Sequence, residues 1–523
     1  KVLAGWGPPP PAADGAGAED APAPAAGAAG TSDDFRELTR VEVGVDERFV
    51  PADDLAIYAP AMYDQELKLS RALRARLTTT ARGAGHVGEG PFAEYARQTT
   101  AAASLTEQQL QAVRLCTSGA RLVVLTGGPG TGKTRTIQAL VELWKTANKK
   151  VQLACPTARG AALLHEVTGL GAKTIHRLIE YTPGDARGSL SYAQPLEADA
   201  VVVDEASMLD VDLAFRLLDA LPLECTLVVV GDADQLPPVG PGQVLRDMLR
   251  CPRVPRARLD RVFRFEGAGD IAVNAHLVNS GQDMAALDFL LADELDSSVQ
   301  PVGCKLVVAP KVEDAAGAIE GHVLPWLRAK GFDLQADVQV LSPTKQGQAG
   351  TAELNRRLAP VLNAGAREGK GLRKGDKVIQ LENDYEHGVF NGDVGHVRAV
   401  ARAGAKDEGR FEVDFNGGIR KTYPAAAFGP EIALAYALTV HKAQGSEYPV
   451  VVVPVVDAHR FMLTRNLLYT ALSRARQLIV IVGAQRALKR SIRNDRSMCR
   501  RTRLAALLAA ETRAFHEVDP DDM

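Results

Sequence analysis

Short valine-rich runs that alternate with helical stretches constrain the fold of this chain more than any other feature. LVVLT (122–126), VQLA (151–154) and AVVV (200–203) each lead into a helical stretch, and LVVV (227–230) follows. Continuous Val/Leu runs suit strands buried on both faces, and strand–helix alternation is typical of a parallel sheet. A later set at 338–342, 450–455 and 478–483 predicts a second parallel sheet.

Residues 346–430, inside the second set, have a different pattern. GDKVIQLEND, GHVRAVA, GRFEVDFNG and RKTYP are short alternating stretches separated by Gly, Asn and Asp. Alternation with a period of two predicts half-buried antiparallel strands, and such short strands close readily into a small barrel. We therefore expect a β-barrel inserted into the second parallel-sheet domain.

Composition limits the possible classes of protein. The 523 residues are 46% apolar and 24% charged, as in globular proteins, and a net charge of −3 means that any nucleic-acid site depends on local charge placement. Six scattered cysteines without a CxxC pair argue against zinc, iron–sulfur and disulfide frameworks and fit a reducing, cytoplasmic location. No apolar run approaches the roughly 20 residues of a membrane-spanning helix. The chain starts with Lys1, which suits a fragment.

The octet GGPGTGKT (127–134) follows the first valine-rich run and opens a helix. Its glycines allow backbone N–H groups to close around phosphate, and the start of the helix adds positive potential. Lys133 is expected to reach the β- and γ-phosphates of ATP, and the Thr134 hydroxyl to bind Mg²⁺. The predicted nucleotide-binding residues of this segment are Gly128, Pro129, Gly130, Thr131, Gly132, Lys133, Thr134 and Arg135.

Polar side chains follow two further buried runs. Asp204 and Glu205 come directly after AVVV, which suggests Asp204 as a Mg²⁺ ligand and Glu205 as the group that polarises the attacking water. Gln235 follows the next run, in GDADQLPPVGPG, where an amide could sense the γ-phosphate. A solvated acidic turn and a loop-capping glutamine are the alternatives, which the shared context makes weaker.

Motifs in this order resemble those of superfamily 1 helicases of the RecD-like, 5′→3′ branch, over about residues 36–510. They are LTEQQLQAV (105–113), ACPTARGAALL (154–164), AKTIHRLIEY (172–181), LDRVFRF (259–265), ALTVHKAQGSEYPVVVV (437–453) and RNLLYTALSRARQLIVIVG (465–483). The resemblance implies that Gln109 recognises the adenine base, while Arg264 and Arg474 contact the γ-phosphate. Arg476 is a weaker candidate for the γ-phosphate contact. The DNA contacts implied by the resemblance are Pro156, Thr157, His176, Thr439 and His441.

The resemblance also implies a fold class, α/β with two RecA-like P-loop NTPase domains and an SH3-like barrel. The predicted segments are a disordered linker (1–33), an accessory region (34–103), the first RecA-like domain (104–250), the second (251–345 and 431–510), the barrel (346–430) and an acidic tail (511–523). Residues 181–195 stand where the family has a duplex-splitting pin, although an inert loop is equally compatible.

The implied activity is ATP- and Mg²⁺-dependent 5′→3′ unwinding of DNA in repair or recombination, by a monomer that binds single strands and duplex junctions. Two alternatives stay open: a motor subunit of a RecBCD-type exonuclease, and an ATP-gated binding switch. Unwinding of RNA in place of DNA is a further alternative. Phe265 stands where the family motif has Gln, and the N-terminal helix–hairpin–helix repeats of stand-alone members are not visible. The basic stretch 487–508 is expected to be a solvated helical face, and contact with DNA phosphates is the alternative.

Overall fold

The computed structural model describes residues 59–181, 194–262, 269–282, 290–292, 295, 298–309, 311–363, 371–384, 386–401, 409–415, 418–496 and 500–510. The described residues from Asp64 onwards belong to one compact unit. The predicted linker, most of the pin segment, Arg264 with Phe265, and the acidic tail lie outside the described residues. Within them, no helix is both long and apolar enough to cross a membrane.

The first parallel sheet is built from the valine-rich runs. Its strands are β1 (Leu122–Gly127), β2 (Val151–Cys155), β3 (Ala172–Thr174), β4 (Ala200–Val203), β5 (Thr226–Gly231) and β6 (Arg256–Leu259). They are ordered β3-β2-β4-β5-β1-β6, and every pairing is parallel. All residues of β4 and β5 are buried, as expected for strands covered by helices on both faces.

The remaining strands form a second parallel sheet and a separate antiparallel one. They are β7 (Leu290–Ala292), β8 (Gly303–Val308), β9 (Val338–Ser342), β10 (Lys377–Gln380), β11 (Val394–Val400), β12 (Arg410–Phe415), β13 (Arg420–Pro424), β14 (Ile432–Leu434), β15 (Ala437–Thr439), β16 (Tyr448–Val455) and β17 (Ala475–Gly483). The parallel sheet has the order β15-β9-β16-β17-β8-β7. The fold class predicted from the sequence is therefore confirmed.

The antiparallel sheet, β13-β12-β11-β10-β14, is the inserted barrel. It has its own apolar core, in which the Phe411 and Tyr423 rings stack with centroids 5.3 Å apart. The Tyr423 hydroxyl donates a hydrogen bond to Gln380 Oε1 (2.6 Å) inside this core. The insert also packs on the second domain, because Ile379 of β10 and Val394 of β11 belong to the apolar core of that domain.

Helices cover both faces of the two parallel sheets. They are α1 (Pro60–Thr78), α2 (Glu89–Gln98), α3 (Thr100–Ala103), α4 (Glu107–Cys116), α5 (Lys133–Thr146), α6 (Ala158–Thr168), α7 (Ile175–Leu178), α8 (Val211–Ala220), α9 (Val244–Arg250), α10 (Gly269–Asn279), α11 (Val312–Ala318), α12 (Leu324–Ala329), α13 (Thr351–Leu362), α14 (Arg465–Leu472), α15 (Gln485–Arg493) and α16 (Leu504–Ala509). A π-helical turn, Ile319–Val323, joins α11 to α12.

Three segments differ from the predicted boundaries. One is β14, which pairs with β10 in the antiparallel sheet although 431–510 was predicted as the second RecA-like domain. The first sheet continues beyond residue 250, because β6 pairs with β1 (Val124 opposite Arg256). Helix α13 lies within the stretch predicted as barrel but belongs to the second parallel-sheet domain: Asn355 exchanges two hydrogen bonds with the backbone of Ala437 in β15 (2.9 and 2.8 Å). Alternation of apolar and polar residues marks the barrel strands themselves and does not mark the helix that leads into them.

The C-terminal segment returns from the second domain to the first. Leu504 and Leu508 of α16 share an apolar core with Leu69 and Leu73 of α1, on one face of the first sheet. The Glu66 carboxylate accepts hydrogen bonds from the Arg503 and Leu504 N–H groups (2.8 and 2.6 Å), at the start of α16. This basic segment, expected from the sequence to be a solvated helical face, is therefore partly buried against the first domain.

Candidate nucleotide site and nucleic-acid cleft

The glycine-rich loop lies between β1 and α5. Gly130 and Gly132 have positive φ angles of 70° and 83°, a conformation that favours glycine. A Cβ atom on Gly132 would lie 2.2 Å from Gln109 Nε2, so a side chain would also clash there. The Lys133 ammonium donates hydrogen bonds to the Gly127 and Gly128 carbonyl oxygens (2.8 and 3.0 Å). The loop thus has the backbone of a phosphate-binding loop, with its lysine folded over it.

Gln109, predicted to recognise adenine, is buried beneath this loop. Its Oε1 accepts from the Thr106 N–H (3.0 Å), its own N–H donates to Thr106 Oγ1 (3.3 Å), and its Nε2 donates to the Thr131 carbonyl (3.2 Å). This capping box starts α4 and ties it to the phosphate loop. In this arrangement, Gln109 supports the loop from behind and does not line the adjacent cavity.

The carboxylates predicted to serve Mg²⁺ and water lie at the end of β4. Burial and the neighbouring Glu205 carboxylate raise the pKa of Asp204, while the charge of Lys133 opposes this rise. Glu205 has a left-handed backbone (φ 52°), which costs energy for a residue with a side chain and is typical of functional sites. Thr134 is the second residue of α5, the helix that follows β1, and β1 is separated from β4 in the sheet by β5. A hydroxyl and a carboxylate are oxygen donors that suit Mg²⁺, so these residues fit the predicted ion.

A cavity of 750 Å³ extends from the phosphate loop towards the second domain. Its lining includes Gly128, Pro129 and Thr131 of the loop, Asp232 after β5, and Tyr469 of α14. The volume is in the range of small-molecule sites. Helix α10 and the arginines of β6 form its outer wall. The cavity is therefore shared by both parallel-sheet domains.

Asp232 and Tyr469 form the closest link across this cavity. The Tyr469 hydroxyl donates a hydrogen bond to Asp232 Oδ2 (2.7 Å), and both side chains are buried. Burial raises the pKa of Asp232, an effect that the Lys133 charge opposes, and burial together with Asp232 raises the pKa of Tyr469. Neither residue was among those predicted from the sequence, although Asp232 follows a valine run just as Asp204 does.

The loop that carries Gln235 is held by the second domain. Asn466 Nδ2 donates to the Asp234 carbonyl (2.8 Å), Thr470 Oγ1 accepts from the Leu236 N–H (2.9 Å), and Gln444 Nε2 donates to the Leu236 carbonyl (3.3 Å). Gln235 itself is buried, and its Oε1 has no hydrogen-bond partner among the described residues. Gln235 lines a small separate cavity with Ser207 and Asn466 and does not line the nucleotide cavity, so its unused acceptor suits a water molecule in that smaller space.

Arg474, predicted to contact the γ-phosphate, is bound within its own domain. Its guanidinium donates to the Ser446 carbonyl (3.2 Å), the Thr470 carbonyl (3.3 Å) and Ser473 Oγ (2.9 Å), and it does not line the nucleotide cavity. Arg476 is exposed and pairs with Glu447 at the surface (2.9 Å). Arg264 lies outside the described residues.

A second cavity, which we call the cleft, has a volume of 320 Å³ and lies between the first domain, the second domain and the barrel. Four of the five predicted DNA contacts line it: Pro156, Thr157, His176 and His441. The fifth, Thr439, does not line the cleft. It lines a neighbouring cavity that shares Lys442 with the cleft. Residues that are distant in sequence are thus brought to one site.

The cleft suits a polyanion. Its described lining includes Arg159 and Lys442 and contains no Asp or Glu. Thr157 caps α6 by accepting a hydrogen bond from the Gly160 N–H (3.2 Å), which directs the positive end of that helix towards the cleft. Burial lowers the pKa values of His176 and His441, so both imidazoles are neutral at pH 7. The positive potential here arises from two side chains and one helix end, in a chain whose net charge is −3.

The barrel contributes side chains that the motifs did not indicate. Asn383, Phe390 and Asn391 line the cleft opposite the first domain. The Phe390 ring is fixed by the Arg177 guanidinium, which lies 5.2 Å from its centroid. A signal for these residues exists only in the turn-rich segment NDYEHGVFNGD, which is polar and does not distinguish a site from an ordinary turn.

Comparison with known proteins gives three matching family profiles. One described as an AAA domain matches residues 104–295, one described as an ATP-dependent RecD-like DNA helicase SH3 domain matches 354–415, and one described as a UvrD-like helicase C-terminal domain matches 434–482. The profiles correspond to the first parallel-sheet domain, the barrel and the second domain, in chain order.

Two curated relatives match most of the chain. The ATP-dependent RecD2 DNA helicase of Deinococcus radiodurans is 36% identical over 82% of this chain, which spans only 56% of that protein's length. The RecBCD enzyme subunit RecD of Mycolicibacterium smegmatis is 30% identical over 74% of this chain and 72% of that protein. Among solved structures, Bacteroides Pif1 bound to single-stranded DNA has a TM-score of 0.46 at 19% identity, covering 72% of this chain and 92% of Pif1.

Proposed function

Because this chain belongs to the RecD-like family of helicases, we propose that it is an ATP-driven motor that moves along single-stranded DNA and unwinds duplex DNA in the 5′→3′ direction. One observation carries this proposal: the course of the loop 232–239. The loop begins in the nucleotide cavity with Asp232 and ends in the cleft with Val239. Between these points, hydrogen bonds from Gln444 and Asn466 tie it to the second domain.

The loop offers a physical route from hydrolysis to movement. Loss of the γ-phosphate would change the charge that faces Asp232 in the nucleotide cavity. The second domain holds the same loop at Asp234 and Leu236, on either side of Gln235. A shift of that domain would therefore move Val239 relative to the cleft wall formed by Thr157 and His176. Coupling of this kind requires an element that both sites contact, and this loop meets that requirement.

The residues around the phosphate loop can be given roles in hydrolysis. Lys133 would exchange its two carbonyl partners for the β- and γ-phosphates, which accept stronger, charge-assisted hydrogen bonds. Thr134 and Asp204 would hold Mg²⁺, and a bound Mg²⁺ would neutralise charge on the phosphate oxygens. Glu205 would orient the attacking water and accept its proton. Gln109 would contribute by fixing the loop. For its amide to recognise adenine, it would first have to release the Thr106 N–H and the Thr131 carbonyl.

Arginines would complete the site when the domains close. Arg474 lies on the loop after α14, close enough to Tyr469 for its charge to affect the pKa of that phenol. To reach the γ-phosphate it would have to leave the Ser446 and Thr470 carbonyls, so its engagement would depend on the relative position of the domains. Arg264 is also proposed to contact the γ-phosphate, because of the motif in which it lies.

A second function is favoured by one comparison. The mycobacterial relative with 72% coverage is named as a subunit of the RecBCD enzyme, so this chain could be the motor subunit of such a complex. As a stand-alone motor it would be monomeric, would act with repair or recombination proteins, and in a bacterium would work in the cytoplasm at the nucleoid. An ATP-gated binding switch would hydrolyse ATP without unwinding DNA.

Unwinding of tailed duplexes tests the proposal. We expect ATP-dependent unwinding of a duplex with a 5′ single-stranded tail and none of a duplex with a 3′ tail. The Glu205→Gln variant should bind both substrates and unwind neither. Unwinding of only the 3′-tailed duplex would refute the polarity. DNA-stimulated ATPase activity without unwinding would favour the subunit or the switch, and addition of nuclease-complex partners would separate these two.

A further inference from the structure

An exposed aromatic side chain stands beside the cleft and belongs to none of the motifs. Phe461 is 79% exposed, and Met462 next to it is 42% exposed. They lie in the turn between β16 and α14, whose neighbours His459 and Leu463 are buried. A large aromatic ring in water on an otherwise well-packed turn has no structural benefit, and exposed apolar patches of this kind mark interaction sites.

The turn that presents Phe461 is held rigidly. Asp457 at its start is paired with Arg486 and Arg490 of α15. At its end, Asn494 Nδ2 donates a hydrogen bond to the Leu463 carbonyl (2.8 Å). The ring is therefore mounted on a fixed support, which lowers the entropy cost of using it as a binding surface.

Phe461 lines a cavity of 560 Å³ that continues the cleft. Val239 and His441 line both this cavity and the cleft, so the two spaces are contiguous. Val239 is 88% exposed and belongs to the first domain, whereas Phe461 belongs to the second. A ligand lying between them would contact both halves of the molecule.

The opposite wall is also fixed. The Arg500 guanidinium donates three hydrogen bonds to the loop that carries Val239, to the carbonyls of Pro238 (2.7 Å), Gly240 (2.7 Å) and Gly242 (2.9 Å). Arg500 reaches this loop because the C-terminal segment crosses back to the first domain. The cavity is thus bounded by two rigid supports and is formed in advance of any ligand.

The charges around the cavity are suited to a phosphate chain. Arg496 and Arg500 line it, and its described lining contains no acidic residue. The Arg460 guanidinium lies over one face of the Phe461 ring, 4.7 Å from its centre, so a base would stack on the opposite face. An open aromatic face flanked by cations is the arrangement by which proteins bind single strands without reading their sequence, since every base has a face to stack and a phosphate beside it.

We propose that this cavity is a nucleobase site in which Phe461 stacks on a base of the translocated single strand, one step beyond the cleft. The inference rests on the proposed function, because the strand that enters the cavity is the one held in the cleft. Val239 would contact the same base from the first domain. Opening and closing of the two domains would then change the gap that a base has to pass.

A comparison of Phe461→Ala with the wild-type protein on two oligonucleotides tests the proposal. The probes are a short oligothymidylate and a strand of equal length and charge that has abasic sites in place of the bases. Dissociation constants are measured by fluorescence anisotropy at one fixed salt concentration, since phosphate contacts depend strongly on salt. Val308→Ala, which removes a 38%-exposed side chain elsewhere in the second domain, is the matched control.

We expect Phe461→Ala to weaken oligothymidylate binding by about tenfold, the usual effect of losing one aromatic stack, and to leave binding of the abasic strand unchanged. Phe461→Trp should retain affinity, and its new indole fluorescence should be quenched by the oligothymidylate. Because Phe461 is exposed, the thermal unfolding midpoint of the Ala variant should match that of the wild type.

Two results would overturn the nucleobase site while leaving the motor intact. One is an equal loss of affinity for both strands, which would mean that Phe461 acts without contacting a base. The other is normal binding by Phe461→Ala, which would assign the surface to another occupant, such as a protein partner. Failure of the wild-type protein to bind either strand would contradict the proposed function itself, and the base site with it.

Discussion

Five strands of each parallel sheet have the same order, β3-β2-β4-β5-β1 in the first and β15-β9-β16-β17-β8 in the second, but only the first sheet carries a GxxxxGKT sequence. β8 occupies in the second sheet the position that β1 occupies in the first, with β17 and β7 beside it as β5 and β6 are beside β1. After β1 comes GGPGTGKT, and after β8 come Ala309 and Lys311, at the start of α11. The fold therefore sets where a loop lies, and the residues of that loop decide its chemistry.

The second sheet supplies other groups in place of a phosphate loop. Helix α14 presents Asn466, Tyr469 and Thr470 to the loop 232–236 of the first domain, and Arg474 follows directly after it. One domain thus offers backbone N–H groups and carboxylates, and the other offers hydrogen-bond donors and a cation.

The largest effect is expected for the cation of the second domain. Arg474→Ala should lower ATP turnover by about 10³–10⁵ and leave binding of a fluorescent ATP analogue largely intact, because the arginine would act only on the transition state. Arg476→Ala, which removes an exposed arginine paired with Glu447, should have little effect. Near-normal ATPase activity in Arg474→Ala would refute the assignment of Arg474 as the γ-phosphate contact.

Two lysine substitutions compare the phosphate loop after β1 with the corresponding segment after β8. Lys133→Ala should reduce ATPase activity by at least about a hundredfold, since it removes the charge aimed at the phosphates. Lys311→Ala removes an exposed lysine at the corresponding place after β8 and should leave the ATPase unchanged. A comparable loss in both variants would show that the second sheet also takes part in nucleotide binding.

Removal of the Tyr469 hydroxyl should weaken the functional coupling between the two parallel-sheet domains. Tyr469→Phe deletes the donor to buried Asp232, which leaves a carboxylate short of a partner at a cost of about 1–3 kcal/mol. We expect DNA-stimulated ATPase activity to fall by roughly tenfold. Tyr423→Phe deletes a similar buried hydrogen bond inside the barrel and should affect thermal stability alone. Equal loss of activity in both variants would argue against a special role for the link.

The smallest effect concerns protonation in the cleft. Burial lowers the pKa of His441 from its ordinary value of 6.5, so the imidazole is neutral at pH 7 and takes up a proton only in acid. Bound phosphate favours the protonated form, and affinity for oligothymidylate should therefore rise as pH falls below 6.5, by less than about fivefold. His441→Gln should show a flatter pH profile, and an unchanged profile would place His441 away from the strand.

Much of the site could be predicted because its chemistry is local in sequence. The glycines at 130 and 132, Lys133 and Thr134 are neighbours, and Asp204 follows a strand whose burial the valines already indicate. The predicted strands were confirmed for the same reason. Tyr469 could not be predicted: every residue of α14 from Asn466 to Leu472 is buried, and sequence does not show which buried side chain faces another domain.

The sequence by itself determined the two parallel sheets, the barrel strands and the position of the phosphate loop, since each depends on apolar periodicity or on residues within a few positions of one another. Only the tertiary structure decided that Thr157, His176 and His441 share one cleft. It also decided that Arg500 braces the loop of Val239 and that the Tyr469 hydroxyl meets Asp232. These contacts join positions tens to hundreds of residues apart, and their geometry follows from how the helices and domains pack.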